Sequence, residues 1–145
     1  MNTIAAAQPF LDRQEALAIW HAAYHGPEET VLHANPLFCE TFGLSLTEIL
    51  GRKRYCRVNP PDTSVETIEQ YKAEDREAME RGFFLQRSAI EAGKDIVVLK
   101  VRFDHGVLGM FKFIDANRTG ATQAPGDLDE DFRAVIESVR PDLLG

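Results

Sequence analysis

Four basic residues, Arg52, Lys53, Arg54 and Arg57, crowd into the run GRKRYCRVNPPDT. Clustered guanidinium groups hold carboxylates or phosphates through paired hydrogen bonds, so this stretch is the first candidate for an anion-binding wall. On a solvated loop the same cluster only balances nearby acid, because exposed ion pairs are weak. Cys39 and Cys56 show no CxxC and no Cys/His metal spacing, which argues against a disulfide framework or a zinc site and for small, half-buried thiols. His21, His25, His33 and His105 are the groups that can change charge near neutrality. Asp104 beside His105 has the residue types of an acid and base pair, but Asp104-His105-Gly106 reads as a tight hairpin turn. No nucleophile elbow, phosphate loop or metal motif accompanies it. No residue is assigned as catalytic, and none as a metal ligand.

The frame that must position these groups is one domain. The chain has 145 residues, 44% of them hydrophobic and 27% charged, which excludes disordered, collagen-like and coiled-coil classes. Sixteen basic residues against 23 acidic ones give a net charge of −7, which argues against a nucleic-acid or anionic-membrane surface. The acidity lies in the flanks. Residues 1–50 carry Arg13 against six acids, while 51–118 carry 13 basic and 11 acidic groups. The N-terminus lacks a basic start and a long apolar run, so a cytoplasmic protein without a membrane segment is expected.

Along the chain, Asp12 and Glu15 have capping-box spacing, predicting a helix that starts near residue 12 in an N-terminal flank over 1–16. ALAIWHAA fits a helical stripe and a strand equally well. TVLHAN reads as a strand ended by Asn35 and Pro36, followed by a short helix stopped by Gly43. Ser45 and Glu48 start a second short helix. Residues 64–81 are helical in composition, with Val65, Ile68, Tyr71, Ala78 and Met79 on one face. Asp75 falls on that face, so the pattern predicts a break there, with Asp75 capping a second turn.

Three strand signals follow. FFLQRSAIE is the first. In DIVVLKVRFD, Val97, Leu99, Val101 and Phe103 alternate with Lys100 and Arg102, predicting a half-exposed antiparallel strand. VLGMFKFID supplies the third, with Phe111 and Phe113 flanking Lys112. TGATQAPG reads as a linker over 119–126. Asp127 and Glu130 then open an amphipathic helix over 127–145, with the stripe Leu128, Phe132, Val135, Ile136 and Val139.

The order of these elements over residues 17–118 resembles the PAS domain family. ETVLHANPLFCETFGLSLTEILGR is similar to the family's run from its second strand into its first helices, through Asn35, Phe38, Gly43, Glu48 and Gly51. YKAEDREAMERG resembles the connector into the third strand, and GMFKFIDANR the last strand with its trailing Asp. The resemblance implies an α+β fold: a five-stranded antiparallel sheet with short helices on one face, plus flanking N- and C-terminal helices. It also settles ALAIWHAA as the first strand.

What the resemblance implies for function is a non-catalytic sensor or protein-interaction module of cytoplasmic signal transduction, with a ligand pocket between helices and sheet. Asn35, Phe38, Phe42, Tyr55, Arg57, Tyr71, Val101, Phe103, Phe111 and Phe113 are the candidate pocket residues, although strand alternation alone would make the apolar ones plain core. A flavin- or haem-bearing sensor is the alternative, and a small α+β enzyme the third reading. Light-sensing PAS relatives attach flavin through a Cys in a Gly-x-Asn-Cys-Arg-Phe-like run. Here Cys56-Arg57 is present, but it lies two residues too far from Gly51, Tyr55 replaces the Asn, and the later strands are expected to lack the Asn and Gln residues that would read the ring. Haem-binding relatives usually supply an axial His from the long helix, and VETIEQYKAEDREAMERG contains none. No covalently bound cofactor is therefore expected. The terminal stripe Leu128, Phe132, Val135, Ile136 and Val139 must bury itself on the chain's own sheet or on a second copy, which makes it the candidate homodimer surface. The partner that acts on the signal is expected on a separate chain.

Overall fold

The structure, a computed structural model, describes residues 2–25, 28–50, 64–91, 94–113 and 128–144. Its elements are α1 (Ile4–Asp12), β1 (Ala18–His25), β2 (Glu28–Ala34), α2 (Pro36–Phe42), α3 (Leu46–Ile49), α4 (Val65–Arg81), β3 (Phe83–Glu91), β4 (Lys94–Phe103), β5 (Gly106–Phe113) and α5 (Glu130–Val139), with a 3-10 turn at Pro141–Leu144. The strands form one antiparallel sheet in the order β2-β1-β5-β4-β3. This is the α+β architecture that the resemblance implies, and ALAIWHAA does supply the first strand.

Local chemistry sets the short helices. The Asn35 side chain accepts from the Phe38 N–H and Pro36 sits in the first turn of α2, while Gly43 ends it in the left-handed region at φ 65°. Ser45 and Glu48 close a reciprocal capping box at α3. Asp104 and His105 both take positive φ, 47° and 59°, as the two-residue hairpin between β4 and β5 requires.

Each face of the sheet carries its own apolar layer. On one, Leu17, Ile19, Val97, Leu99, Val101, Phe103, Leu108 and Met110 pack with Ala7 and Leu11 of α1 and the buried stripe of α5. On the other, Ala18, Trp20, Ala22, Ile96, Val98 and Phe111 pack with Phe38 and Ile49 from α2 and α3. α4 lies beside β3 and β4 on this second side, where Lys100 of β4 meets its residues Glu74 and Asp75.

Several sequence expectations are corrected. The first helix ends at Asp12 instead of starting there: Thr3 caps it, and the Asp12 carboxylate is taken by His33 Nε2 at 2.7 Å. α4 runs unbroken through Asp75, which is buried against Lys100 rather than capping a turn. β4 is not half-exposed. From Ile96 to Val101 both its faces are buried, because helices cover the sheet on each side. The N-cap of α5 is Asp129, whose carboxylate accepts from the Asp131 and Phe132 N–H groups.

The candidate homodimer stripe is also corrected. Leu128, Phe132, Val135, Ile136 and Val139 are all buried in the chain's own core, at about 1.5–3 kcal/mol of apolar transfer for each large side chain. That stripe is spent internally. Lys112 of β5 fixes the start of the helix by pairing with Asp129 and, at 2.9 Å, with Asp131. Burial pushes the Lys112 pKa down, but its bonds to the two carboxylates outweigh that and hold it above the usual lysine value.

Candidate functional site

The helical side of the sheet carries the densest chemistry. Lys100 is 1% exposed, and its Nζ lies 3.0 Å from Glu74 Oε1 and 2.9 Å from Asp75 Oδ1, both on α4. Gln70 Nε2 donates to the other Glu74 oxygen at 3.2 Å. The ammonium also stands 5.6 Å from the Tyr71 ring centre and 5.9 Å from that of Trp20, within cation–π range. One buried cation thus joins helix to strand through two buried carboxylates and is flanked by two aromatic rings.

A cleft of about 330 Å³ opens beside this cluster, lined by Gln70, Ala73, Glu74 and Glu77 of α4 and Phe84, Leu85 and Gln86 of β3. That volume lies at the small end of ligand sites. Glu74 belongs to both features, so whatever enters the cleft meets a carboxylate already bonded to Lys100.

The aromatic part of the predicted pocket assembles. Phe38 is 4.7 Å from Phe42 and 6.4 Å from Phe111, and Phe111 is 5.9 Å from Phe113, centre to centre. Trp20 joins this group at 5.6 Å from Phe38. Its indole lies across β5 at Gly109, where an added Cβ would sit 2.1 Å from Trp20 Cζ2. Glycine is required there by the close approach.

Other predicted pocket residues stand elsewhere. Val101 and Phe103 face the opposite layer, under the terminal helices. Asn35 is fully buried, but its amide serves the backbone: Oδ1 accepts from the Ile19 and Phe38 N–H groups at 2.9 and 3.0 Å, and Nδ2 donates to Leu17 O at 2.8 Å. It ties β1, β2 and α2 together rather than facing a ligand. Tyr71 is half-buried beside Lys100. Tyr55 and Arg57, with the basic cluster and Cys56, lie outside the described residues. Cys39 is half-buried, and burial raises its thiol pKa.

Trp20, Glu74, Asp75 and Lys100 are the residues that the pocket prediction omitted. A signal was present: Lys100 interrupts the apolar run IVVLKVRF, and Asp75 interrupts the apolar face of its helix. Each misplaced charge is the partner of the other.

Two features of the described residues bear on the flavin and haem alternatives. The side chains that β4 and β5 present beneath the helices are Ile96, Val98, Lys100, Phe111 and Phe113, with Gly109 among them, so neither strand offers an amide to read a flavin ring. β3 does carry an amide on this side, Gln86, opposite Val98 and lining the cleft, which corrects the expectation that the later strands have none. For haem, His21 is bonded to Phe103 O on the far face, His33 is paired with Asp12, and His105 lies on an exposed turn. Among the described residues no cluster of three or more His, Cys, Asp or Glu is arranged to hold a metal ion, and no helix is long and apolar enough to cross a membrane.

Comparison with known proteins agrees on the fold. No family model matches the sequence, and no curated protein is similar to it. Among solved structures, the PAS domain of Bordetella pertussis BvgS superposes with a TM-score of 0.56 at 17% identity, covering 79% of this chain and 88% of that one. A blue-light activated histidine kinase of Erythrobacter litoralis EL346 gives 0.51 at 13% identity over 79% of this chain, which spans 38% of the kinase chain. The Rhodobacter sphaeroides LOV protein gives 0.50 at 21% identity, over 83% of this chain and 70% of that one. The fold is PAS-like.

Proposed function

We propose that this chain is a non-catalytic sensory module of cytoplasmic signal transduction, which binds a small polar ligand on the helical side of its sheet and reports occupancy to a separate signalling protein. The observation that supports this reading is the Lys100–Glu74–Asp75 cluster beside the α4–β3 cleft. A buried ionic cluster adds little stability that apolar side chains of equal volume would not supply. Local choices that conflict with simple core packing concentrate at functional sites. Here the conflict lies between a strand and the helix that must move if the site is to signal. A ligand that engages Glu74 or Lys100 competes for the bonds joining α4 to β4, and so has different affinity for the joined and parted arrangements. That difference is what shifts a population.

Native mass spectrometry of the purified full chain, with an absorbance spectrum from about 300 to 700 nm, tests the reading through the spectral signatures of flavin and haem. A colourless protein carrying a small molecule, lost when Glu74→Gln and Gln70→Ala are combined, is the expected result. A flavin or haem spectrum establishes the cofactor-bearing alternative instead. Turnover of any screened substrate overturns the non-catalytic assignment.

A further inference from the structure

We infer that α1 is a strap held on the sheet only while His21 is neutral, so that acidification releases it. The argument does not depend on the ligand reading, because it concerns the opposite face of the sheet. His21 lies at the middle of β1 and is fully buried. Its Nε2 donates to Phe103 O at 2.8 Å, which places the hydrogen of the neutral ring on that nitrogen. The other nitrogen, Nδ1, is buried with no hydrogen-bond partner among the described residues. A neutral imidazole leaves only an unused acceptor there. A protonated ring would place an N–H and a positive charge in an apolar layer, and a buried unpaired charge is strongly disfavoured.

The strap is fastened on both sides of this residue. At its start, the Ile4 N–H donates to Asp104 Oδ2 at 2.8 Å, and Asp104 immediately follows the carbonyl that holds His21. At its end, Asp12 is bonded to His33, the residue of β2 directly across from His21. Between these fastenings Ala7 and Leu11 of α1 are fully buried in the same layer as Phe103, whose ring meets the His21 ring edge-on at 6.0 Å. α1 is nine residues long with Pro9 inside it, too short to be stable by itself.

The charged groups acting on His21 are Asp104, which favours the proton, and His33, which disfavours it. Burial is the largest influence and lowers the His21 pKa below its ordinary value of 6.5. The sign follows: the strapped form binds fewer protons than a released form in which water reaches the ring. The contribution of neutral His21 to strapping is therefore full above about pH 6.5 and weakens as pH falls towards the lowered pKa of the strapped form, by at most about tenfold in the strapped-to-released ratio per pH unit. His33, bonded to Asp12 at 2.7 Å, is the other imidazole at this end of the strap.

Amide hydrogen exchange of the full chain between about pH 8 and about pH 5 tests the inference, after correction for intrinsic exchange. The amides of α1 are expected to lose protection below about pH 6.5, by up to about tenfold per unit, while those of β1, β4 and β5 keep theirs. His21→Gln, which retains a donor for Phe103 O, flattens that dependence; His33→Gln does not. Should His21→Gln fail to fold, the ring titration of His21 followed by NMR in the unmodified chain must coincide with the α1 opening. The inference is overturned if α1 protection stays flat to about pH 5, if the sheet amides open in parallel, or if His21→Gln keeps the dependence.

Discussion

Replacing Lys100 by methionine keeps an unbranched side chain only one atom shorter and removes the cation that Glu74 and Asp75 share. Both carboxylates are then left buried, Asp75 at 1% exposure and Glu74 at 8%, with the distances of 2.9 and 3.0 Å to Nζ no longer meaningful. Removing one partner from a buried ionic group costs about 3–5 kcal/mol. At about 3 °C of melting temperature per kcal/mol for a domain of this size, that is a fall of about 9–15 °C. The decisive comparison is the triple variant Lys100→Met, Glu74→Met, Asp75→Leu, which removes every charge at roughly constant volume. Its stability is expected to match or exceed the original, because desolvating three charges cancels most of their attraction. Urea unfolding of both variants provides the measurement. A single variant that loses less than about 1 kcal/mol, or a triple variant as damaged as the single, refutes the reasoning that the cluster is a coupled, buried unit.

Three further predictions rest on single contacts. Asn35→Ala removes the acceptor for two buried N–H groups and the donor to Leu17 O, and is expected to cost about 2–4 kcal/mol by urea unfolding. Gly109→Ala forces Trp20 off β5, so the emission of this sole tryptophan shifts to the red and stability falls by about 1–3 kcal/mol. Asp129→Ala removes both the cap of α5 and one partner of Lys112, and should lower stability by about 1–2 kcal/mol, with early loss of amide protection confined to the first turn of that helix.

Elements set by neighbouring residues were legible in the sequence. The start of α2 at Pro36, the capping box of Ser45 and Glu48 and the stop at Gly43 each act within a few positions, and each appears where those residues predict it, whereas the alternation in β4 gives the side-chain directions but not the half-exposure read from it. The N-terminal helix was not legible in this way. Asp12 and Glu15 have the spacing of a cap, but Asp12 is claimed by His33, 21 residues away, and local spacing carries no information about that competitor.

The division of the candidate site between two faces has a different origin. Alternation shows that Val101 and Phe103 share one face and that Phe111 and Phe113 share one face, without relating the two pairs. Register supplies the relation, and in a hairpin the turn length sets register. With only Asp104 and His105 between the strands, Phe103 stands opposite Gly106, Val101 opposite Leu108, and Val98 opposite Phe111. Residues directly opposite point the same way, so Val101 and Phe103 go with Leu108 and Met110, while Phe111 and Phe113 go with Val98 and Ile96. The same count sets Lys100 opposite Gly109, on the side that α4 covers and where Trp20 lies. The two-residue turn therefore already excluded a single pocket containing both Phe103 and Phe111, and it placed Lys100, in the apolar middle of β4, where a helix bearing a misplaced acid, as α4 does at Asp75, accommodates its charge.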